Sequence, residues 1–242
     1  MSIVFISDIH LDPRRPALKQ AFLDFLTHQA RESEALYLLG DIFEAWIGDD
    51  FSLPFVEDIK HGLKQLSDSG VAIFFMHGNR DFLVGTGFCE DIGATLLPDP
   101  SVIEYDGRRY LLMHGDSLCL EDVDYLKFRQ MARSEQWQQQ ILSMPVAERM
   151  KLAAQMREQS SDAMSEKSAE IMDVTPAEVD RQLALHNADV MIHGHTHRPA
   201  VHSHADNKYR IVLGDWTDKF QYLTLNVGDT FPPTLTTVTI SS

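Results

Sequence analysis

The stretch Asp189-Val-Met-Ile-His-Gly-His-Thr-His197 sets two imidazoles, His195 and His197, on either side of one threonine at the end of a short apolar run. Histidines two residues apart on a tight turn can aim into one site while the strand behind them stays fixed, which suits a pair of metal ligands. The same grammar, apolar run then polar turn, recurs four times upstream. Ser2–Ile6 leads into Ser7-Asp8-Ile-His10, Ala35–Leu39 into Gly40-Asp41, Val71–Met76 into Gly78-Asn79-Arg80-Asp81, and Tyr110–Met113 into His114-Gly-Asp116. Any one of these, taken alone, reads as a turn former or a core histidine. Five strand ends offering Asp8, His10, Asp41, Asn79, His114, His195 and His197 read as a metal centre.

Seven donors of mixed oxygen and nitrogen type exceed what one four-coordinate zinc takes, and suit two divalent ions that share a carboxylate. The economical allocation puts Asp8, His10 and His197 on one ion, Asn79, His114 and His195 on the other, and Asp41 between them. The neutral amide of Asn79 leaves such a centre positive enough to hold an anionic substrate.

The elements that must position these residues follow from periodicity. A helix opens at Pro16, with Leu18, Phe22, Phe25 and Leu26 in register, and a second runs over 54–69 to a left-handed cap at Gly70. Between them, 42–50 is too apolar for a free loop and too acidic at its end for a core strand, and reads as a packed rim beside the site. Residues 101–113 form a hairpin around Asp106-Gly107, with which a second sheet begins. Strand signals then vanish over 117–172, an inserted helical lid within a single domain spanning 1–242. Thr175-Pro-Ala-Glu178 has the form of a capping box ahead of the histidine strand, and antiparallel strands over 199–213 and 220–240 close the chain.

The formal net charge of -15 repels a nucleic-acid backbone over most of the surface, so nucleic acid is not an expected partner. Cys89 and Cys119 form no framework, which points to a reducing, cytoplasmic setting. Neither a signal peptide nor a membrane span is expected, and the protein is expected to be a monomer. The lid holds six of the ten methionines, together with interleaved aromatic and basic residues. That mixture suits an amphiphile, its apolar chains against Met, Phe and Leu and its anionic head near Arg149, Arg157 or Lys167.

In order and over most of the chain, these motifs resemble the set of the calcineurin-like metallophosphoesterases. The resemblance implies an α/β fold, a β-sandwich flanked by helices, with two divalent ions and hydrolysis of a phosphate ester or anhydride. In most of that family the third motif reads Gly-Asn-His-Asp/Glu, and its histidine protonates a leaving alkoxide; here the position is Arg80. A guanidinium is a poor acid near neutral pH and a good clamp for phosphate oxygens, so the leaving group is one that needs no proton. A phosphate leaving a diphosphate meets that condition.

With Gly40-Asp-Ile-Phe-Glu-Ala-Trp-Ile-Gly-Asp-Asp50 and Ile192-His-Gly-His-Thr-His-Arg-Pro199 added, the chain resembles more narrowly the UDP-2,3-diacylglucosamine pyrophosphatase family of lipid A biosynthesis. That resemblance implies a lipid-linked UDP-sugar substrate, manganese as favoured metal and a peripheral place on the cytoplasmic face of the inner membrane. Water would attack the α-phosphorus, with Asn79, Arg80 and His195 stabilising the charge that gathers there. It also implies contacts from Asp122, Ser160 and Lys167 to the sugar phosphate, although Met164 stands where an asparagine is expected. Two rivals remain open: a nucleotide diphosphatase or phosphodiesterase indifferent to acyl chains, and a metal-free scaffold on the same fold.

Overall fold

The computed structural model describes residues 2–166, 171 and 173–240, and the side chains of 159–166 fall outside that description. In chain order the first half contains β1 (Ser2–Ile6), α1 (Pro16–His28), β2 (Ala35–Leu39), α2 (Pro54–Asp68), β3 (Ala72–Met76), α3 (Thr86–Ile92), β4 (Ala94–Leu97), β5 (Ser101–Tyr105) and β6 (Arg108–Leu112). Three helices follow, α4 (Val123–Ala132), α5 (Glu135–Leu142) and α6 (Val146–Glu166), then α7 (Pro176–Leu185). The chain ends with β7 (Val190–His193), β8 (Ala200–Ser203), β9 (Tyr209–Val212), β10 (Lys219–Asn226) and β11 (Leu235–Thr239).

The strands form two sheets, ordered β11-β10-β1-β2-β3-β4 and β5-β6-β7-β9-β8. Strands β1 to β4 are mutually parallel, as are β6, β7 and β9, and antiparallel strands border each set. Strand alternation explains the layering. Ile3 and Phe5 of β1 pack between the sheets with Tyr37, Leu39, Tyr110, Leu112 and Ile192, while Val4 and Ile6 face the helix layer with Phe22, Phe25, Ile59 and Leu63. Strands covered on both faces read as unbroken apolar runs rather than alternating ones. Leu111, Met113 and Met191 cover the far face of the second sheet against Val179 and Leu183 of α7. Because the ligand-bearing strands run parallel within each sheet, their C-terminal ends share one edge, where ligands of open α/β sheets bind.

Some local expectations are met and others are corrected. Asp106 and Gly107 both take positive φ, 48° and 72°, as a two-residue hairpin turn demands. Gly70 follows the end of α2 at φ 100°. The capping box at Thr175 does not form: the Thr175 hydroxyl accepts from the Leu120 backbone N–H instead, and Glu178 is taken up by Arg181 and Gln182. Tertiary contact thus outbids the local cap. The short α3 and edge strand β4 have no counterpart in the sequence reading, being too brief to show a period. Ala132 of α4 and Ile141 of α5 are buried in the main core beside Phe82 and Leu83, so these helices are packed on the body of the domain.

Candidate metal centre

The turns after β1, β2, β3, β6 and β7 bring Asp8, His10, Asp41, Asn79, His114, His195 and His197 together. Asp8, Asp41 and His114 are buried. Asp8, His10 and His197 each offer an atom within 4.8 Å of the others, and so do Asp8, Asp41 and His114. Two close backbone approaches make this possible. A Cβ on Gly78 would lie 2.1 Å from Asp41 Oδ1, and one on Gly194 would lie 2.1 Å from Asp8 Oδ2, so no side chain fits at either place. Five of the seven donors stand on left-handed backbone: Asp8 (φ 53°), His10 (55°), Asp41 (54°), His195 (67°) and His197 (54°). Such conformations cost on the order of 1–3 kcal/mol each and concentrate at functional sites.

The hydrogen bonds fix which atoms face inward. Asp41 Oδ1 accepts from the Arg80 backbone N–H at 2.8 Å, which leaves Oδ2 lying 3.9 Å from His10 Nε2 and 3.8 Å from His114 Nε2. One carboxylate oxygen therefore stands between two imidazoles. His10 Nδ1 lies 3.1 Å from Glu44, His114 Nδ1 donates to the Leu39 carbonyl at 2.9 Å, and His197 Nδ1 faces Asp215 at 3.7 Å. The Leu39 carbonyl holds the His114 Nδ1 hydrogen and turns Nε2 inward, while carboxylates stand on the outer side of His10 and His197.

Inside, ring nitrogens and side-chain oxygens crowd one another. His10 Nε2 and His197 Nε2 are 3.3 Å apart, His197 Nε2 is 3.4 Å from Asp8 Oδ1, and Asn79 Oδ1 is 3.0 Å from both His114 Nε2 and His195 Nδ1. Such an array calls for positive charge, so the donor set fits cations. The protonation equilibria show the same demand. Burial opposes a proton on His114, but Asp41, Asp116 and Asp8 outweigh it and hold its pKa up at about 9. Burial likewise opposes one on His10, where Glu44, Asp41 and Asp8 raise it. Asp8 is pushed up by burial, yet the His197 hydrogen bond and the His114 charge hold it well below the usual carboxylate range.

The centre opens into a cavity of about 560 Å³. His10, Asp41, Asn79, Arg80, His195 and His197 form one end, and Phe82, Leu83, Phe128, Trp137, Ile141, Leu152 and Met156 form an apolar wall beneath α4 to α6. Arg80 lines the cavity, and its Nε is buried without a hydrogen-bond partner among the described residues. Asp122 lines it too, and caps α4 by accepting from Tyr125 N at 3.2 Å. Ser160 belongs to α6 but its side chain lies outside the described residues, as does Lys167 altogether; the Met164 side chain is outside them as well.

Arg149 and Arg157 line the cavity, as do Met156 and several Phe and Leu side chains, and the structure adds detail to two of these. Arg149 is only 2% exposed and is committed to structure: it grips both oxygens of Asp50 and donates to the carbonyls of Met144 and Ile47. It clamps α6 to the 42–50 rim, because a buried guanidinium must fill its donors. The methionines mostly point elsewhere: Met131 and Met150 are exposed, Met144 packs on the core, and Met156 alone among the described ones lines the cavity. Aromatic rings and aliphatic side chains share the rest of the wall.

Several residues that organise the site were given no role by the sequence reading. Asp81, fully buried, accepts from the backbone N–H groups of Asp41, Ile42, Phe43 and Gly78 and so ties the β2 and β3 turns together. Asp116, also fully buried, receives the Tyr125 hydroxyl at 2.5 Å and Arg129 Nε at 2.8 Å, which anchors α4 to the His114 turn. Both follow candidate ligands within two residues, the one signal that could have marked them. Glu44 and Asp215, which orient His10 and His197, carry no such signal.

Comparison with known proteins accords with this geometry. The family model of the calcineurin-like phosphoesterases matches residues 1–199. A UDP-2,3-diacylglucosamine hydrolase of Chromohalobacter salexigens is 50% identical over 238 residues, covering 97% of this chain and 96% of its own. One from Marinobacter nauticus is 50% identical over 226 residues, covering 92% and 93%. Among solved structures, Vps29 of Chaetomium thermophilum superposes with a TM-score of 0.51 at 11% identity, with both chains fully covered, a likeness of fold alone. The chain is thus a member of the calcineurin-like phosphoesterases, metal-dependent hydrolases, and within them of the group named for UDP-2,3-diacylglucosamine hydrolysis.

Proposed function

We propose that the protein hydrolyses the diphosphate bond of UDP-2,3-diacylglucosamine, giving UMP and 2,3-diacylglucosamine 1-phosphate, a step of lipid A biosynthesis. The observation that carries this reading is a converging His/Asp/Asn cluster opening directly into a large aromatic-walled cavity. Only an amphiphile with an anionic junction uses both ends. Each methylene buried against that wall contributes about 0.8 kcal/mol, so long acyl chains dominate the choice of substrate.

Asp8, His10, His197 and Asp41 would hold one divalent ion and Asp41, Asn79, His114 and His195 a second, manganese being favoured; bound there, the pair supplies Lewis acidity and lowers the pKa of the attacking water. The chain's own groups do the rest. Arg80, with an unmade donor at Nε, clamps the phosphoryl oxygens as negative charge gathers on the α-phosphorus. It gives up no proton, and the sugar 1-phosphate leaves as a stable anion. His195 faces the substrate beside Asn79, its Nδ1 3.0 Å from Asn79 Oδ1. Asp122, Ser160 and Lys167 belong to the binding surface for the sugar phosphate.

Residues 117–172 act as a lid over the acyl chains within a single domain. No helix among the described residues is long and apolar enough to cross a membrane. Leu120, Val123, Met131, Leu142 and Met150 are exposed in and beside α4 to α6, which suits a monomer resting peripherally on the cytoplasmic face of the inner membrane. The test is turnover of the acylated UDP-sugar in oxygen-18 water, with and without added manganese. Label in UMP is expected, because the water attacks the α-phosphorus. Label in the sugar phosphate, or equal turnover of UDP-sugars without acyl chains, would overturn the proposal.

A further inference from the structure

The turn that carries His195 and His197 has a second face. A separate cavity of about 260 Å³ opens there, lined by Asp173, Thr196, Arg198, Pro199, His202 and Arg210. Thr196 and Arg198 line this cavity and the larger one alike, so the turn is a shared wall between them. In a chain of net charge -15, two guanidiniums and an imidazole here face one carboxylate.

That carboxylate is partly spent, since Arg198 Nη1 meets Asp173 Oδ2 at 2.5 Å. Arg210 forms no ion pair among the described residues. Its Nη1 lies 3.4 Å from His193 Nε2, and its Nε is buried without a partner. Thr196 Oγ1 is likewise buried without a partner among the described residues. Unmade hydrogen bonds beside a cation with no ion pair among the described residues are costly and are relieved by an oxygen-rich ligand. The local field agrees: burial and the Arg210 charge both lower the pKa of His202.

The proposed substrate has two unlike halves, and this step rests on that proposal. Its acyl half fills the aromatic-walled cavity under α4 to α6, and its diphosphate lies at the His/Asp cluster. The nucleoside half must then extend to a face that the helices leave open. We infer that the cavity between Arg198 and Arg210 is the subsite for the nucleoside half of the substrate, with Arg210 donating to its ribose and base oxygens and His202 flanking the base. Its volume lies just under the ~300 Å³ at which pockets for whole small molecules begin, as befits half a substrate.

The test compares two inhibitors of the metal-loaded protein acting on bis(p-nitrophenyl) phosphate: UMP, and the lipid 1-phosphate product, which occupies the other side of the turn. In Arg210→Met the inhibition constant for UMP is expected to rise at least tenfold, and that for the lipid 1-phosphate less than threefold. His202→Trp, at an exposed position, fills the cavity without entering the core and carries the same expectation should Arg210→Met fail to fold. An unchanged UMP constant, an equal rise in both constants, or orthophosphate competing as well as UMP would overturn the assignment. The two readings separate cleanly. Turnover of the acylated substrate with a UMP constant deaf to these changes removes the subsite alone, whereas the expected UMP response without such turnover removes the proposed substrate and leaves the subsite.

Discussion

Replacing Asp81 by asparagine changes one atom and removes no candidate ligand, yet the structure assigns it a large effect. Asp81 Oδ1 accepts from Gly78 N at 2.7 Å and Asp41 N at 3.2 Å, and Oδ2 from Ile42 N at 2.8 Å and Phe43 N at 3.4 Å. Each oxygen holds one short and one long bond, so neither orientation of an asparagine amide spares the short ones. Two buried N–H donors are left facing an NH₂ group. At about 1–3 kcal/mol for each buried group left unpaired, Asp81→Asn should destabilise the fold by about 2–6 kcal/mol. Loss of charge does not explain this cost, because burial and the Asp41 carboxylate already raise the pKa of Asp81 to about 6. The turns it ties together present Asp41 and Asn79, so the affinity for divalent ions should fall about 10- to 100-fold. Urea unfolding in chelator measures the first quantity and calorimetric titration with manganese the second. Stability within about 0.5 kcal/mol of wild type, together with unaltered affinity, would refute the argument that Asp81 is the tie between the turns.

Other consequences are as direct. Arg80→Ala should lower kcat by about 10²–10³-fold with metal content unchanged by elemental analysis, because the guanidinium meets developing charge and touches no ion. Arg149→Met strips hydrogen bonds from the Ile47 and Met144 carbonyls and frees α6 from the rim; a loss of about 1–3 kcal/mol in chelator and a raised KM for the acylated substrate are expected, with manganese affinity as before. His77 donates to the Val84 carbonyl at 2.6 Å, and burial lowers its pKa to about 4. In the unfolded chain it protonates near 6.5, so between those values the unfolded state binds more protons and stability falls as pH falls. The full effect is on the order of 3 kcal/mol, and His77→Gln should remove that part of the slope in acid-unfolding curves measured in chelator.

Much of this molecule is written locally. The parallel strands announce themselves as unbroken apolar runs because both faces of each are covered, and the polar turn after each run names the residue that reaches the shared edge. His195 and His197 could be singled out because two imidazoles on one turn have few other uses, and Arg80 because a guanidinium beside donors cannot serve as an acid. Helices α1 and α2 show their buried stripes in their spacing.

What the tertiary structure alone decided is which atom of each group faces which neighbour. Asp41 places a single oxygen between two imidazoles only because the Arg80 amide, from another strand end, claims its other oxygen. The left-handed backbone at five donors is one that Asp and His adopt more readily than most residues, yet nothing in their local sequence requires it. That Arg149 acts as a clamp could not be read from its neighbours, since whether a guanidinium meets solvent, ligand or a buried carbonyl depends on chain more than ninety residues away. Spacing reports what a residue can do; hydrogen bonds from distant segments, each worth a kilocalorie or so, select which of those things it does.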